Sequence, residues 1–166
     1  MSVGVIQSRS YYPHRPIGER CGHAQISNDG RPANEWDLKI PEFREEMDQL
    51  EENRLHPSLT WAEHQDYMAK LTGLMLKARL GQIAFGKAEE GNHIRDTLVE
   101  LKPRLESKRV AFGKKPRLLR LYVAEPARTP RLLVGLHLAT KADSEGGLTE
   151  QNESIDVAME RAYSWA

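Results

Sequence analysis

Extended segments in the second half of the chain carry several basic side chains, one tyrosine and one histidine. Residues 91–141 hold twelve Lys and Arg against four Asp and Glu, although the whole chain is neutral. Arg120 and Tyr122 stand two residues apart in one extended run, and His137 and Lys141 stand four apart in the next. Even spacings in a strand place side chains on one face. Such a cluster suits phosphodiester chemistry, because cations stabilise developing phosphate charge while His or Tyr transfers a proton.

Further cations flank these runs and are candidates for contacting the phosphates of RNA or DNA. They follow the extended segment at 97–101 or lie just before or at the start of the one at 117–124: Lys102, Arg104, Lys114, Lys115 and Arg117. The regions on either side are acidic, with a net charge of −6 over residues 35–70 and −5 over 142–166. Two interpretations stay open, because the basic region either attracts a polyanion or is neutralised by acidic helices. His137 lies in an apolar run and also fits a hydrogen-bonded core position.

Several functional classes lack their defining motifs. Cys21 is the only cysteine of the sequence, so neither an intrachain disulfide nor a cysteine-rich zinc site can form. The segment from Gly81 to Ala88 matches a phosphate-binding P-loop, but alanine replaces the Ser or Thr that binds Mg²⁺. HExxH and GxSxG motifs do not occur. We therefore expect no metal and no cofactor.

The apolar residues indicate a cytoplasmic protein with one domain. No apolar run approaches the ~20 residues that a transmembrane helix needs, so no membrane association is expected. Residues 1–20 show neither helical nor strand periodicity and are predicted to be a mobile tail. A single domain is predicted over 21–166, beginning with a short strand at 23–27.

Two consecutive helices are predicted in the first half of the chain. After Pro41, apolar residues recur at helical spacing until a His-Pro pair at 56–57 interrupts them: Phe43, Met47 and Leu50. Thr60 and Glu63 have the spacing of a capping box, which begins a second helix that continues to about Arg79. Two helices in succession indicate a helical hairpin.

The hydrophobic period changes from helical to extended after residue 90. Three strands are predicted, at 97–101, 117–124 and 131–140, and the short connection between the last two makes them antiparallel neighbours. Residues 143–152 are predicted to be a polar loop, mobile over 143–149, before a short C-terminal helix. The predicted fold class is α+β, with the helical hairpin packed on a small, mainly antiparallel sheet.

Three short motifs on the predicted strands carry a family resemblance: LVELK at 98–102, LRLY at 119–122 and LHLATK at 136–141. In their order along the chain they resemble the RelE/ParE toxin superfamily, in particular its HigB-like branch. In that branch a helical hairpin precedes a small antiparallel sheet. The chain departs from the pattern at Thr140, where the family usually has lysine, and at Ala139, where it has an aromatic residue.

The resemblance implies the toxin of a toxin–antitoxin pair. Such a protein is a metal-independent endoribonuclease that cleaves mRNA on the ribosome and so inhibits translation, and a small helix-turn-helix antitoxin is its partner. An mRNA 2′-hydroxyl attacks the adjacent phosphate. By matching position, the resemblance implies that Arg120 stabilises phosphate charge, that Lys102 and Lys141 contact the RNA backbone, and that His137 or Tyr122 transfers a proton.

Two alternatives use the same basic sheet. The chain could be a non-catalytic RelE-like binding module, such as a phage or accessory protein that holds an acidic partner. It could also be a ParE-like inhibitor directed at DNA gyrase. Sequence does not separate these alternatives from the nuclease, because a basic sheet face serves all three.

Overall fold

The computed structural model describes residues 34–56, 58–86, 89–94, 98–104, 117–126, 132–143 and 146–165. In these residues the elements follow in this order: β1 Glu35–Asp37, α1 Pro41–Glu51, α2 Trp61–Arg79, β2 Gly91–Ile94, β3 Leu98–Leu101, β4 Arg117–Ala124, β5 Leu132–Ala142 and α3 Gly146–Trp165. The α+β class predicted from the sequence is confirmed. The predicted tail, the predicted strand at 23–27, Cys21, Lys114 and Lys115 lie outside the described residues.

The five strands form one mixed sheet in the order β1-β5-β4-β3-β2. β1 is parallel to β5, and the other neighbours are antiparallel. β3, β4 and β5 are the three strands that the sequence predicts, and the antiparallel pairing of the last two is confirmed. The sequence does not predict β1 and β2, because segments of three and four residues are too short for a hydrophobic period.

Helix α2 has the predicted start. Two residues after the last residue of α1 and of α2, the chain has a left-handed backbone. The capping box of Thr60 and Glu63 is present at the start of α2. Asn53 has a φ of 55° and Gly81 a φ of 69°. At each of these two positions the next N–H groups donate back to carbonyls of the last helical turn, as in a Schellman motif. For this reason α1 ends before the His-Pro pair at 56–57, which the sequence analysis had taken as its end.

Helices cover the sheet, and close packing restricts the side chains between them. Phe43 of α1 lies so close to Gly135 of β5 that any Cβ at this glycine would overlap the aromatic ring. The hydroxyl of Tyr67 on α2 donates to the carbonyl of Arg117 at 2.8 Å. Helix α3 packs against β5 and β4. The largest fully buried side chains come from α1, α2 and the three central strands and include Phe43, Leu50, Tyr67, Leu101, Leu119, Leu121, Tyr122, Leu136 and Leu138.

The C-terminal helix is longer than predicted. α3 begins at Gly146, so the prediction of a loop over 143–152 is wrong for its last seven residues. Two adjacent glycines disfavour a helix intrinsically, which explains the error. A Cβ on Gly147 would overlap the carbonyl oxygen of Ala142, so glycine is needed where α3 starts beside the end of β5.

Candidate anion-binding site on the sheet

The pairing of β3, β4 and β5 brings together several residues that the sequence analysis singled out. Tyr122 lies opposite Glu100 on β3 and opposite His137 on β5. Arg120 stands two residues before Tyr122, and Lys141 four residues after His137, so alternation places all five on one face. The bulge in this pair of strands lies beyond Tyr122 and does not interrupt the alternation.

Three cations surround the carboxylate of Glu100. The Nε atom of Arg120 lies 3.9 Å from Glu100 Oε1. Lys102 directly follows β3 and continues its register opposite Arg120. From α3, the Gln151 amide donates to Glu100 Oε2 at 3.0 Å, and its oxygen accepts from Lys141 Nζ at 2.8 Å. We call Glu100, Lys102, Arg120, Lys141 and Gln151 the sheet-face cluster.

The sheet-face cluster holds an excess of positive charge in a half-buried setting. Burial lowers the pKa of Lys102, and the neighbouring cations Arg120, Arg104 and Lys141 lower it further against the opposing effect of Glu100. Burial and then Arg120 likewise lower the pKa of Lys141. These cations therefore repel one another, and a bound anion would relieve that repulsion. The arrangement suits the binding of a phosphate group.

Tyr122 lies beneath the sheet-face cluster and is only 1% exposed. Burial and the adjacent carboxylate of Glu100 raise the pKa of the Tyr122 hydroxyl. Its ring stacks on the imidazole of His137, with the ring centroids 5.9 Å apart. A hydroxyl with a raised pKa keeps its proton near neutral pH. Tyr122 is thus placed to position Glu100 and His137 and is poorly suited to act as a base.

His137 belongs to a second charged group, which we call the edge cluster: Glu46, His137 and Arg161. The Nδ1 atom of His137 lies 2.8 Å from Glu46 Oε2, and Arg161 Nη1 donates to Glu46 Oε1 at 2.6 Å. Arg161 Nη1 also lies 3.2 Å from His137 Nδ1, so this nitrogen contacts both the carboxylate and the guanidinium. Glu46 and Arg161 therefore fix the orientation of the imidazole.

The edge cluster also binds backbone groups of β5. β1 pairs with β5 only up to Val134. Beyond it, Glu46 Oε1 accepts from the N–H of Leu138 at 3.2 Å, and Arg161 Nη1 donates to the carbonyl of Leu136 at 2.9 Å. Burial alone would raise the pKa of Glu46, but hydrogen bonds from His137 and Arg161 outweigh it and hold the pKa below its usual value. The cluster thus satisfies the sheet edge where β1 ends.

The remaining predicted site residues are not part of the sheet-face cluster. Arg117 is three residues before Arg120, so its side chain lies on the opposite face, where it binds Thr140 and Glu150. Arg104 is exposed beyond the end of β3. Lys114 and Lys115 precede β4, in the part of the chain that the structure does not describe.

Three residues that matter here are not among those that the sequence pattern predicts. Glu100 lies inside one of the quoted motifs, and an acidic residue between two leucines of a strand was an available signal. Glu46 is 91 residues from His137, and Gln151 is 51 residues from Glu100. No local spacing could relate either of these partners to the basic strands.

Comparisons with known proteins give no match: no family model, no curated protein and no solved structure is significantly similar to this chain. Among the described residues, no helix combines the length and apolar character needed to cross a membrane. The same residues contain no group of three or more His, Cys, Asp or Glu side chains arranged to hold a metal ion. A functional assignment therefore depends on the geometry of the charged clusters.

Proposed function

We propose that the protein binds single-stranded RNA through the sheet-face cluster and cleaves it without a metal ion, as its resemblance to RelE/ParE toxins implies. The observation that carries the proposal is the half-buried excess of cations formed by Lys102, Arg120 and Lys141 around Glu100. Arg and Lys are the side chains that bind phosphate most effectively, and partial burial strengthens their field.

The proposed reaction needs charge stabilisation and two proton transfers. The 2′-hydroxyl of one nucleotide attacks the adjacent phosphorus, and the bond from phosphorus to the 5′-oxygen of the next nucleotide breaks. The products are a 2′,3′-cyclic phosphate and a free 5′-hydroxyl. Arg120 stabilises the charge that develops on the non-bridging oxygens, and the two lysines hold the RNA backbone.

His137 and Lys141 are the groups best suited to move the protons. Glu46 binds Nδ1 of His137, which leaves Nε2 to accept the proton of the 2′-hydroxyl. His137 is the diagonal cross-strand neighbour of Arg120, at a Cα distance of about 7–8 Å. The lowered pKa of Lys141 makes its ammonium group a better acid for the leaving 5′-oxygen.

The order of elements supports the same proposal. Two helices, the motif-bearing strands and a C-terminal helix follow one another in the order from which the resemblance was drawn, with β1 and β2 in addition. The strand at 23–27 that begins that order lies outside the described residues. As a toxin the protein would act on ribosome-bound mRNA in the cytoplasm and would be neutralised by a helix-turn-helix antitoxin.

A second candidate is a non-catalytic RelE-like module that binds an anionic partner. One observation favours it: Glu46 and Arg161, which hold His137, are already engaged by the backbone of β5. In that case the edge cluster is purely structural, and the sheet-face cluster binds its ligand without chemistry.

Primer extension on mRNA in a purified translation system distinguishes the two candidates. The parent protein should produce new mRNA ends, and Arg120→Ala should reduce cleavage about 100-fold, the usual effect of losing one charge-stabilising donor. Arg44→Ala removes an exposed cation from α1 and should cleave as the parent does. Intact mRNA with a parent protein that still binds RNA supports the non-catalytic module. Full cleavage by a folded Arg120→Ala, Lys141→Ala double variant overturns the proposal that the sheet-face cluster carries the cleavage.

A further inference from the structure

A pocket of about 300 Å³ lies between α2 and the segment that follows β3. Lys70 and Lys77 line it from α2, Arg104 lines it from the opposite side, and Glu90 contributes a carboxylate. We propose that this α2 pocket binds a second nucleotide of the RNA strand, next to the phosphate at the sheet-face cluster. The inference rests on the proposed function and names the path that the RNA takes beyond the first phosphate.

The lining of the α2 pocket suits both parts of a nucleotide. Buried Leu74 and Pro103 supply apolar surface for a base, while the cations supply partners for its phosphate. Lys77 Nζ lies 2.8 Å from Glu90 Oε1, with 51% and 30% of the two side chains exposed. An ion pair with this much exposure contributes little stability, so Lys77 can exchange Glu90 for a phosphate at low cost.

Gly73 forms the wall of the α2 pocket between its two lysines. It lies inside α2, three residues after Lys70 and four before Lys77, so the three share one helix face. A Cβ at Gly73 would meet nothing within 4 Å, so alanine fits there without closing the pocket. A longer side chain at this position would extend into the pocket.

The α2 pocket lies beside the end of β3, close to one member of the sheet-face cluster. Lys102 belongs to the cluster, Arg104 lines the pocket, and two residues of extended chain span only about 7 Å. Arg104 lies close enough to Lys102 to lower the pKa of that lysine. The Lys102 N–H also donates to the carbonyl of Glu90 at 2.7 Å, which joins the pocket wall to the sheet. An RNA strand that crosses the end of β3 therefore meets both sites.

Fluorescence-anisotropy titrations with 2′-O-methyl RNA test the inference, because this RNA lacks the attacking hydroxyl and stays intact. Gly73→Gln fills the α2 pocket with an uncharged side chain, and Gly73→Ala is the matched control that leaves it open. Gly73→Gln should weaken binding of a hexanucleotide about tenfold and leave binding of a 2′-O-methyl nucleoside monophosphate, which has no second nucleotide, unchanged. Gly73→Ala should bind both as the parent does. Both replacements favour the helix, and thermal melts verify that each variant is folded.

Two outcomes overturn the inference, and they differ in what they say about the proposed function. If Gly73→Gln binds the hexanucleotide as tightly as the parent while Arg120→Ala loses binding, the α2 pocket is not a subsite but the sheet-face cluster still binds RNA. If the parent binds neither the hexanucleotide nor the nucleoside monophosphate, the inference and the proposed function both fail. A Lys70→Gln, Lys77→Gln double variant should also reduce the salt slope of hexanucleotide binding by about 1.4.

Discussion

The sheet-face cluster and the edge cluster occupy neighbouring positions on the same sheet, but their charges are balanced differently. In the edge cluster, Glu46 and Arg161 bind each other, His137 and the backbone of β5. In the sheet-face cluster, three cations share one carboxylate, and the pKa values of its lysines are lowered. Charges that satisfy one another and the backbone belong to the fold. Charges left in excess are available to a ligand.

The largest effect that this comparison predicts is on stability, at the edge cluster. Glu46→Ala leaves the Leu138 N–H and the His137 ring without their acceptor and Arg161 without its counter-ion, and should lower the free energy of unfolding by about 3 kcal/mol. Urea denaturation measures this change. Glu45→Ala, at an exposed neighbouring position on α1, should stay within about 0.5 kcal/mol of the parent. An equally small effect of Glu46→Ala would mean that the edge cluster is not a structural element.

A smaller effect concerns the pH dependence of RNA binding. The pKa values of Lys102 and Lys141 are lowered, so both lose their charge before an ordinary lysine does at about 10.4. RNA affinity should therefore fall by about tenfold as the pH rises through these lowered values. The double variant Lys102→Gln, Lys141→Gln should bind more weakly from the start and show a flatter profile. A parent profile that stays flat up to the ordinary lysine pKa would contradict the proposed role of the two lysines.

Local periodicity predicts the parts of this fold that depend on neighbouring residues. β4 and β5 are long, mainly apolar runs of eight and eleven residues, and the even spacing of Arg120 and Tyr122 places both on one face. The start of α3 depends instead on a tertiary contact, because Gly147 fits closely under the Ala142 carbonyl. From helix propensity alone, the two adjacent glycines at this point predict a loop.

In the candidate site, too, the neighbours on one strand are predictable from the sequence and the partners from distant helices are not. An even spacing suffices to predict that Arg120 shares a face with Tyr122 and Lys141 with His137. That both pairs lie on the same face follows from the register of β4 and β5, which no spacing gives. The partners that decide the role of each residue come from distant helices: Glu46 fixes His137, and Gln151 links Lys141 to Glu100. Arg117 is a candidate phosphate contact from the sequence, but its odd spacing from Arg120 turns its side chain to the other face. There it binds Glu150.

The most direct test of the central claim is the affinity of the protein for an intact single-stranded RNA at several salt concentrations. A 2′-O-methyl hexanucleotide would be titrated against the parent, Arg120→Ala and Arg44→Ala. The excess of charge in the sheet-face cluster predicts that Arg120→Ala binds at least tenfold more weakly and that its salt slope is smaller by about 0.7. Arg44→Ala should match the parent. Equal losses for the two variants, or no loss for Arg120→Ala, would contradict the claim that the sheet-face cluster binds phosphate.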